Sequence, residues 1–238
     1  MSKVKVISLG GSIIAPDKVD TPFIKDFYKM ILNYLEEDQE RKLIFVCGGG
    51  APARMYQSAY RDVMSDLNLG FGADHQAQDW IGIAATHLNA ELMRQLFYSY
   101  CPEKVVTDPT SDFVFSGRVL VAAGWKPGFS TDFDAVILAE RFKADTVINL
   151  SNIAQVFTDD PRKNPEAAPI DSIGWKGFRD IVGHEWVPGK NVPFDPIASK
   201  KASEIPLRVI MASGRDLDNL KKILSDQTFH GTLIGPHH

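Results

Sequence analysis

Apolar strands that run straight into glycine set the tightest limit on how this chain can fold. Residues 4–9 form a short apolar strand ending at Gly10-Gly11, residues 43–47 a nearly continuous one ending at Gly48-Gly49-Gly50, and residues 119–123 a third ending at Gly124. Strand patterns recur at 146–150 and 208–211, and helical periodicity fills the intervals. Continuous apolar strands are buried on both faces. Their alternation with helices predicts an α/β fold, a three-layer α/β/α sandwich around a largely parallel open sheet. Ligands of such sheets sit beyond the carboxyl ends of the strands, where these glycines collect. A single glycine there needs only a tight turn; three clusters predict close approach of a ligand to the backbone.

The helices carry their own expectations. Thr21 is the predicted N-cap of a helix with Pro22 at its first position. Phe23, Phe27, Met30, Ile31, Tyr34 and Leu35 then form one apolar stripe, a face for burial. A later helix carries Ile81, Ala85, Leu88, Leu92 and Leu96 on one face, and residues 135–141 are helical. Lys200 and Lys201 are expected to open another helix after Asp195-Pro196, while 159–169 and 187–196 read as loops.

Composition excludes several classes. The 238 residues carry 26 basic and 30 acidic side chains, a net charge of −4, which gives no electrostatic case for a nucleic-acid binder. No apolar run approaches the roughly 20 residues that span a bilayer. The first residues lack the apolar stretch of a signal peptide, so the expectation is a cytoplasmic protein, one domain over 1–238. Cys47 and Cys101 are too few for a disulfide framework and read as packing residues. The six histidines show no ligand spacing, so no protein-held metal is expected. Residues 183–190 imitate a P-loop but have five spacer residues where four are needed, and Asn191 stands where a Ser or Thr would ligate magnesium.

Charged side chains flank the glycine-rich strand ends: Arg54, Lys126 ahead of the run 127–132, Asp160 with Arg162 and Lys163, and Lys200 with Lys201. Helix amides and small hydroxyls bind phosphate oxygens, and fixed Lys or Arg neutralises them. Phosphoryl transfer asks for little beyond that positioning and neutralisation.

Five segments in order carry a resemblance to the amino acid kinase superfamily and, within it, to archaeal-type uridylate (UMP) kinases: residues 8–12, 48–54, 79–89, 127–132 and 151–161, with 231–234 similar to the family's closing strand. The resemblance implies an ATP-dependent nucleoside monophosphate kinase that phosphorylates UMP to UDP by direct in-line transfer, with ATP and Mg2+ as cofactors and the metal held mainly by ATP. It implies an acceptor-binding N-terminal part, an ATP-binding C-terminal part, and a homo-oligomer, commonly a hexamer. By the same resemblance, Ser8, Gly10, Gly11, Ser12, Gly50 and Arg54 would face the ATP phosphates, and Ser151, Phe157 and Asp160 its adenosine. Gly49 and Asp79 would hold the acceptor nucleoside, and Trp125, Lys126, Pro127, Gly128, Phe129, Ser130 and Thr131 would wrap its phosphate. Asp132 would orient lysines by charge pairing, and Lys200 would stabilise the transferring phosphoryl group.

The chain departs from the family pattern at four places. Ser8 stands where many relatives carry lysine, Trp125 replaces a small residue, Ala154-Gln155 replaces Asp-Gly, and Phe157 replaces tyrosine. These departures motivate a rival expectation: a non-catalytic relative that binds nucleotide or another oxyanion, as a molybdenum storage protein of this superfamily does. A kinase of the same fold with another small acceptor is the remaining alternative.

Overall fold

A computed structural model describes residues 3–67, 74–183 and 192–236; the P-loop-like stretch set aside above lies almost wholly outside them. In chain order the elements are β1 (Val4–Leu9), α1 (Gly11–Ile14), α2 (Thr21–Glu36), β2 (Lys42–Cys47), α3 (Gly50–Leu67), α4 (His75–Leu96), β3 (Val119–Ala122), α5 (Thr131–Arg141), β4 (Thr146–Ser151), β5 (Val156–Phe157), β6 (Pro169–Ile170), β7 (Ser172–Gly174), α6 (Trp175–Val182), α7 (Pro196–Ser203), β8 (Arg208–Ser213), α8 (Leu217–Leu224) and β9 (Thr232–Gly235).

The main sheet runs β3-β2-β1-β4-β8-β9-β7, and β5 pairs separately with β6. Every neighbouring pair in the main sheet is parallel except β8 with β9. This is the largely parallel α/β sandwich expected from the buried strands.

Strand side chains alternate between faces, and the core divides accordingly. Ile7, Leu9, Leu43, Phe45, Ile148 and Leu150 pack on one side with α2, α4 and α8. Val6, Ile44, Val46, Leu120 and Val147 pack on the other with α5, α6 and α7. Ser8 and Asn149 are register neighbours on β1 and β4. The period of two sends both toward the α5 side, and that placement builds the site described below.

Several helix expectations need correction. The N-cap of α2 is Asp20, not Thr21: the Asp20 carboxylate accepts from the Phe23 amide at 3.0 Å, so Thr21 takes the first helical position and Pro22 the second. The apolar stripe of α2 belongs to the core, where Phe27 meets Phe45 edge-on at 5.5 Å. The inward face of α4 is Ile83, Ala85, Thr86, Asn89, Ala90 and Met93; of the expected stripe, Ala85 is buried and Leu92 packs partly against the core, whereas Leu88 and Leu96 are exposed. Following the leucines misplaces that stripe, because the helix buries polar groups that serve the strand ends. Pro196 opens α7 behind an Asp195 cap, so Lys200 and Lys201 lie in its last turn.

Candidate active site

Two glycine-rich loops meet backbone to backbone at the strand ends. The Gly10 amide donates to the Leu150 carbonyl at 2.8 Å, and the Gly48 amide to the Leu9 carbonyl at 3.0 Å. A Cβ on Gly11 would lie 2.0 Å from the Gly50 nitrogen, and one on Gly48 would lie 2.4 Å from the Gly11 nitrogen. Gly50 also has φ +66°. These glycines therefore let the β1–α1 and β2–α3 turns touch each other, a more immediate reason than ligand approach. From α4, Asn89 Nδ2 donates to the carbonyls of Gly48 (2.7 Å) and Gly49 (3.1 Å), fixing the second loop from behind.

Beside these loops lies a polar cluster centred on Asp132, in the first turn of α5. Its Oδ1 accepts from Ser8 Oγ at 3.0 Å and from Asn149 Nδ2 at 2.7 Å, and its Oδ2 faces the Asp195 amide at 3.4 Å. Desolvation raises the Asp132 carboxyl to about 6; the hydrogen bonds oppose that rise, while the Asp195 charge adds to it. The expected pairing of Asp132 with lysines is not what these contacts show: its partners are a hydroxyl, a carboxamide and an amide. Lys200 is exposed on α7, whose cap residue Asp195 ties that helix to Asp132.

On the α4 side of the loops is a cavity of about 290 Å³. Gly48 and Gly49 line it with Asp79, Gly82 and Thr86 from α4, Gly124 at the end of β3, and Gly128, Phe129, Ser130 and Thr131 from the loop that leads into α5. Asp79 Oδ2 accepts from the Gly128 amide at 3.2 Å, closing that loop over the helix. Thus Gly49, Asp79 and 128–131 are brought together. Trp125, Lys126 and Pro127 stand outside the lining. The Trp125 ring contacts Phe129 at 5.1 Å, and Lys126 Nζ sits 3.7 Å from the centre of the Trp125 ring.

The turn from β3 into this loop is held from several directions. Thr86 Oγ1 accepts from the Gly124 amide at 2.8 Å. His87 Nε2 lies 3.0 Å from the Gly124 carbonyl, an acceptor, so that nitrogen carries the proton. Asp134 Oδ2 accepts from the Trp125 amide at 3.2 Å.

The remaining residues expected to serve ATP lie outside the cavity. Arg54 Nη2 donates to the Pro16 carbonyl at 2.8 Å, bracing the segment after α1. Ser151 Oγ accepts from the Ile153 amide at 3.1 Å. Phe157 pairs with Pro169 in the β5–β6 ribbon. Asp160 is bonded to the Arg162 guanidinium at 3.0 Å, and that bond holds its carboxyl below the usual range. At the departure in 154–155, Gln155 Nε2 donates to Asp171 Oδ1 (2.9 Å) and to the Gly231 carbonyl (3.2 Å), tying the start of β5 to the chain leading into β9.

The amino acid kinase family model matches residues 3–211. The chain belongs to the amino acid kinase family. A uridylate kinase of Methanospirillum hungatei JF-1 is 34% identical over 232 residues, covering 96% of this chain and 93% of the relative. The crystal structure of uridylate kinase from Archaeoglobus fulgidus matches with a TM-score of 0.78 at 31% identity, over 97% of this chain and 99% of that one. The UMP kinase of Bacillus anthracis, with a TM-score of 0.73 at 18% identity, shares the fold.

Within this amino acid kinase, Thr86, His87, Asn89, Asp134 and Asn149 are structural contributors that sequence reasoning missed, and Gln155, noted there only as a departure, is another. A signal existed for the first group. Asp79, Thr86 and Asn89 recur at helical steps of seven and three, a polar stripe inside a helix. Asn149 was legible as a polar interruption of an apolar strand.

Proposed function

We propose that this protein is an ATP-dependent uridylate kinase, transferring the γ-phosphoryl group of ATP to UMP to give UDP and ADP. The observation that carries the reading is the cavity in which the Asp79 carboxylate and the loop 128–131 converge on Gly49 at the strand ends. Its size falls at the lower end of small-molecule sites, roughly 300 Å³ and upward. Near full-length similarity to proteins named uridylate kinase supports the choice of acceptor.

In this reading Asp79 accepts hydrogen bonds from the acceptor ribose. The amides and hydroxyls of 128–131, with Lys126 lifted from the Trp125 ring, hold the acceptor phosphate. The first-turn amides of α1, at Gly11 and Ser12, have no intrahelical acceptor and face the ATP phosphates with Gly10, Gly50, Arg54 and Ser8. Ser151, Phe157 and Asp160 flank the adenosine. An oxygen of the UMP phosphate attacks the γ-phosphorus while the bond to the β,γ-bridging oxygen breaks, and ADP leaves. No general base is required, because the attacking phosphate is already anionic. Lys200 neutralises charge on the transferring group, and Asp132 holds α7 in place through the Asp195 amide.

The donor set suits a magnesium ion carried on nucleotide oxygens and water: Asp132 is committed to protein donors, and no three His, Cys, Asp or Glu side chains converge among the described residues. Bound there, magnesium would supply positive charge to the phosphate oxygens.

The reading includes one domain with an acceptor-binding N-terminal part and an ATP-binding C-terminal part, working in the cytoplasm as a homo-oligomer, a hexamer by family resemblance. The α3–α4 surface fits an oligomer. No residue of α3 is buried, and Met55, Tyr56, Val63, Trp80 and Leu88 are all exposed. Among the described residues no helix is long and apolar enough to cross a membrane.

The test is ADP release with magnesium-ATP, comparing UMP with CMP, isopentenyl phosphate and acetylglutamate, with Lys200→Ala as control. UMP-dependent turnover that collapses in the control is the expected result. Thermal stabilisation by ATP with no turnover on any acceptor would overturn it in favour of a binding-only protein.

A further inference from the structure

Asp134 is an expensive residue for the fold to keep. Its side chain is fully buried and its Oδ1 has no hydrogen-bond partner, so half of its polar capacity is spent on nothing inside the protein. The charged groups that face it, Asp132 on its own helix and Asp108 from the segment between α4 and β3, both have the same sign. An apolar side chain here would pack with Ala135, Val136 and Leu138 at no such cost.

What the carboxylate does accomplish is local: Oδ2 takes the Trp125 amide at 3.2 Å. That amide is the first of the loop that continues through Lys126 to Thr131. The Trp125 ring leans on Phe129 (5.1 Å), Phe129 leans on Phe133 (4.6 Å), and Phe129 is part of the cavity wall. A shift of the Trp125 backbone is therefore passed to the wall and to Lys126, which rides on both rings.

We propose that Asp134 is a positioning residue for the acceptor site: by accepting the Trp125 amide it fixes where the loop 125–131 presents Lys126, Phe129 and the Gly128–Asp79 contact to the acceptor. Asp134 itself does not line the cavity and touches no substrate. The proposal rests on the uridylate kinase reading above.

The experiment compares Asp134→Asn, which keeps an acceptor oxygen, with Asp134→Leu, which keeps the branched shape with more bulk and no acceptor. The Leu variant is expected to raise the KM for UMP about tenfold, the scale of one buried hydrogen bond, with the KM for ATP within about twofold. The Asn variant should stay within about threefold of the parent for both substrates. Should Asp134→Leu fail to fold by circular dichroism, Asp134→Ala removes the acceptor without adding bulk and takes its place. A folded Leu or Ala variant with an unchanged KM for UMP, or with both KM values raised equally, overturns the proposal. A parent protein inert toward UMP overturns instead the function on which it rests.

Discussion

Ser8 Oγ and Asp132 Oδ1 are 3.0 Å apart across the boundary between β1 and α5. The group that β1 places against this acid is a neutral hydroxyl, not a cation. A donated hydrogen bond favours the ionised carboxylate without neutralising it, and desolvation wins the balance, leaving Asp132 near 6.

The acid limb of activity is thereby assigned to Asp132. With its carboxylate as the working form, kcat rises with pH through about 6. Ser8→Ala removes a contribution that lowers the value, so the limb should move to higher pH. Coincident pH–kcat profiles for parent and variant would refute the role.

Asp134 gives a stability prediction. Its carboxyl is raised from 3.8 to about 7 by desolvation first, with Asp132 and Asp108 adding and the Trp125 amide opposing. The folded protein thus keeps a proton that the unfolded chain has already released. Stability is lost as pH rises from about 4 to about 7, by roughly 4 kcal/mol if the full shift is realised. Asp134→Asn has no such titration, so its Tm should gain on the parent between pH 4 and pH 8. Asp132 contributes equally to both proteins and cancels. Parallel Tm curves would show that the shift is absent.

Two glycines separate packing from loop freedom. Gly11→Ala puts a methyl 2.0 Å from the Gly50 nitrogen and should cost several kcal/mol, more than the ~1–3 kcal/mol of ordinary overpacking. Gly128→Ala meets nothing within 4 Å, but its φ of +85° disfavours alanine by roughly 1–2 kcal/mol. The first should yield little soluble protein; the second should fold, with a modest Tm loss and a raised KM for UMP. A well-behaved Gly11→Ala protein would mean that the loops do not meet as described.

Asn89 joins α4 to the triple-glycine loop through two buried hydrogen bonds. Asn89→Ala leaves the Gly48 and Gly49 carbonyls short of a donor, at a cost of about 2–4 kcal/mol. Chemical denaturation measures this directly, and a loss under 0.5 kcal/mol contradicts it.

The layers and strand directions were legible in the sequence because they rest on period: Val6 and Ile7 must face opposite ways, and the glycines must follow the strands. What escaped was whatever depends on a contact between distant segments. The polar stripe of Asp79, Thr86 and Asn89 is visible within residues 75–96, but that Thr86 and Asn89 turn inward while Leu88 and Leu96 do not depends on partners in other segments. Glycine was read correctly as a place of close approach, but what approaches Gly11 is another glycine loop. Asp134 was passed over because a carboxylate two residues after Asp132 reads as the solvated start of a helix; only the packed structure shows that it is buried.

Ser8 and Asp132 are separated by 124 residues of chain, and Asp79 and Gly128 by 49. Contacts of that span form only after large loops have closed, so they mature late in folding. β1 pairs with β2 on one edge, but its other edge waits for β4. The lining of the cavity alone is drawn from residues 48 to 131, and the Asp132 cluster adds Ser8, Asn149 and Asp195 from outside that stretch. The acid at the heart of the site is therefore assembled only where β1, β4 and α5 have come together, however far apart they lie in the chain.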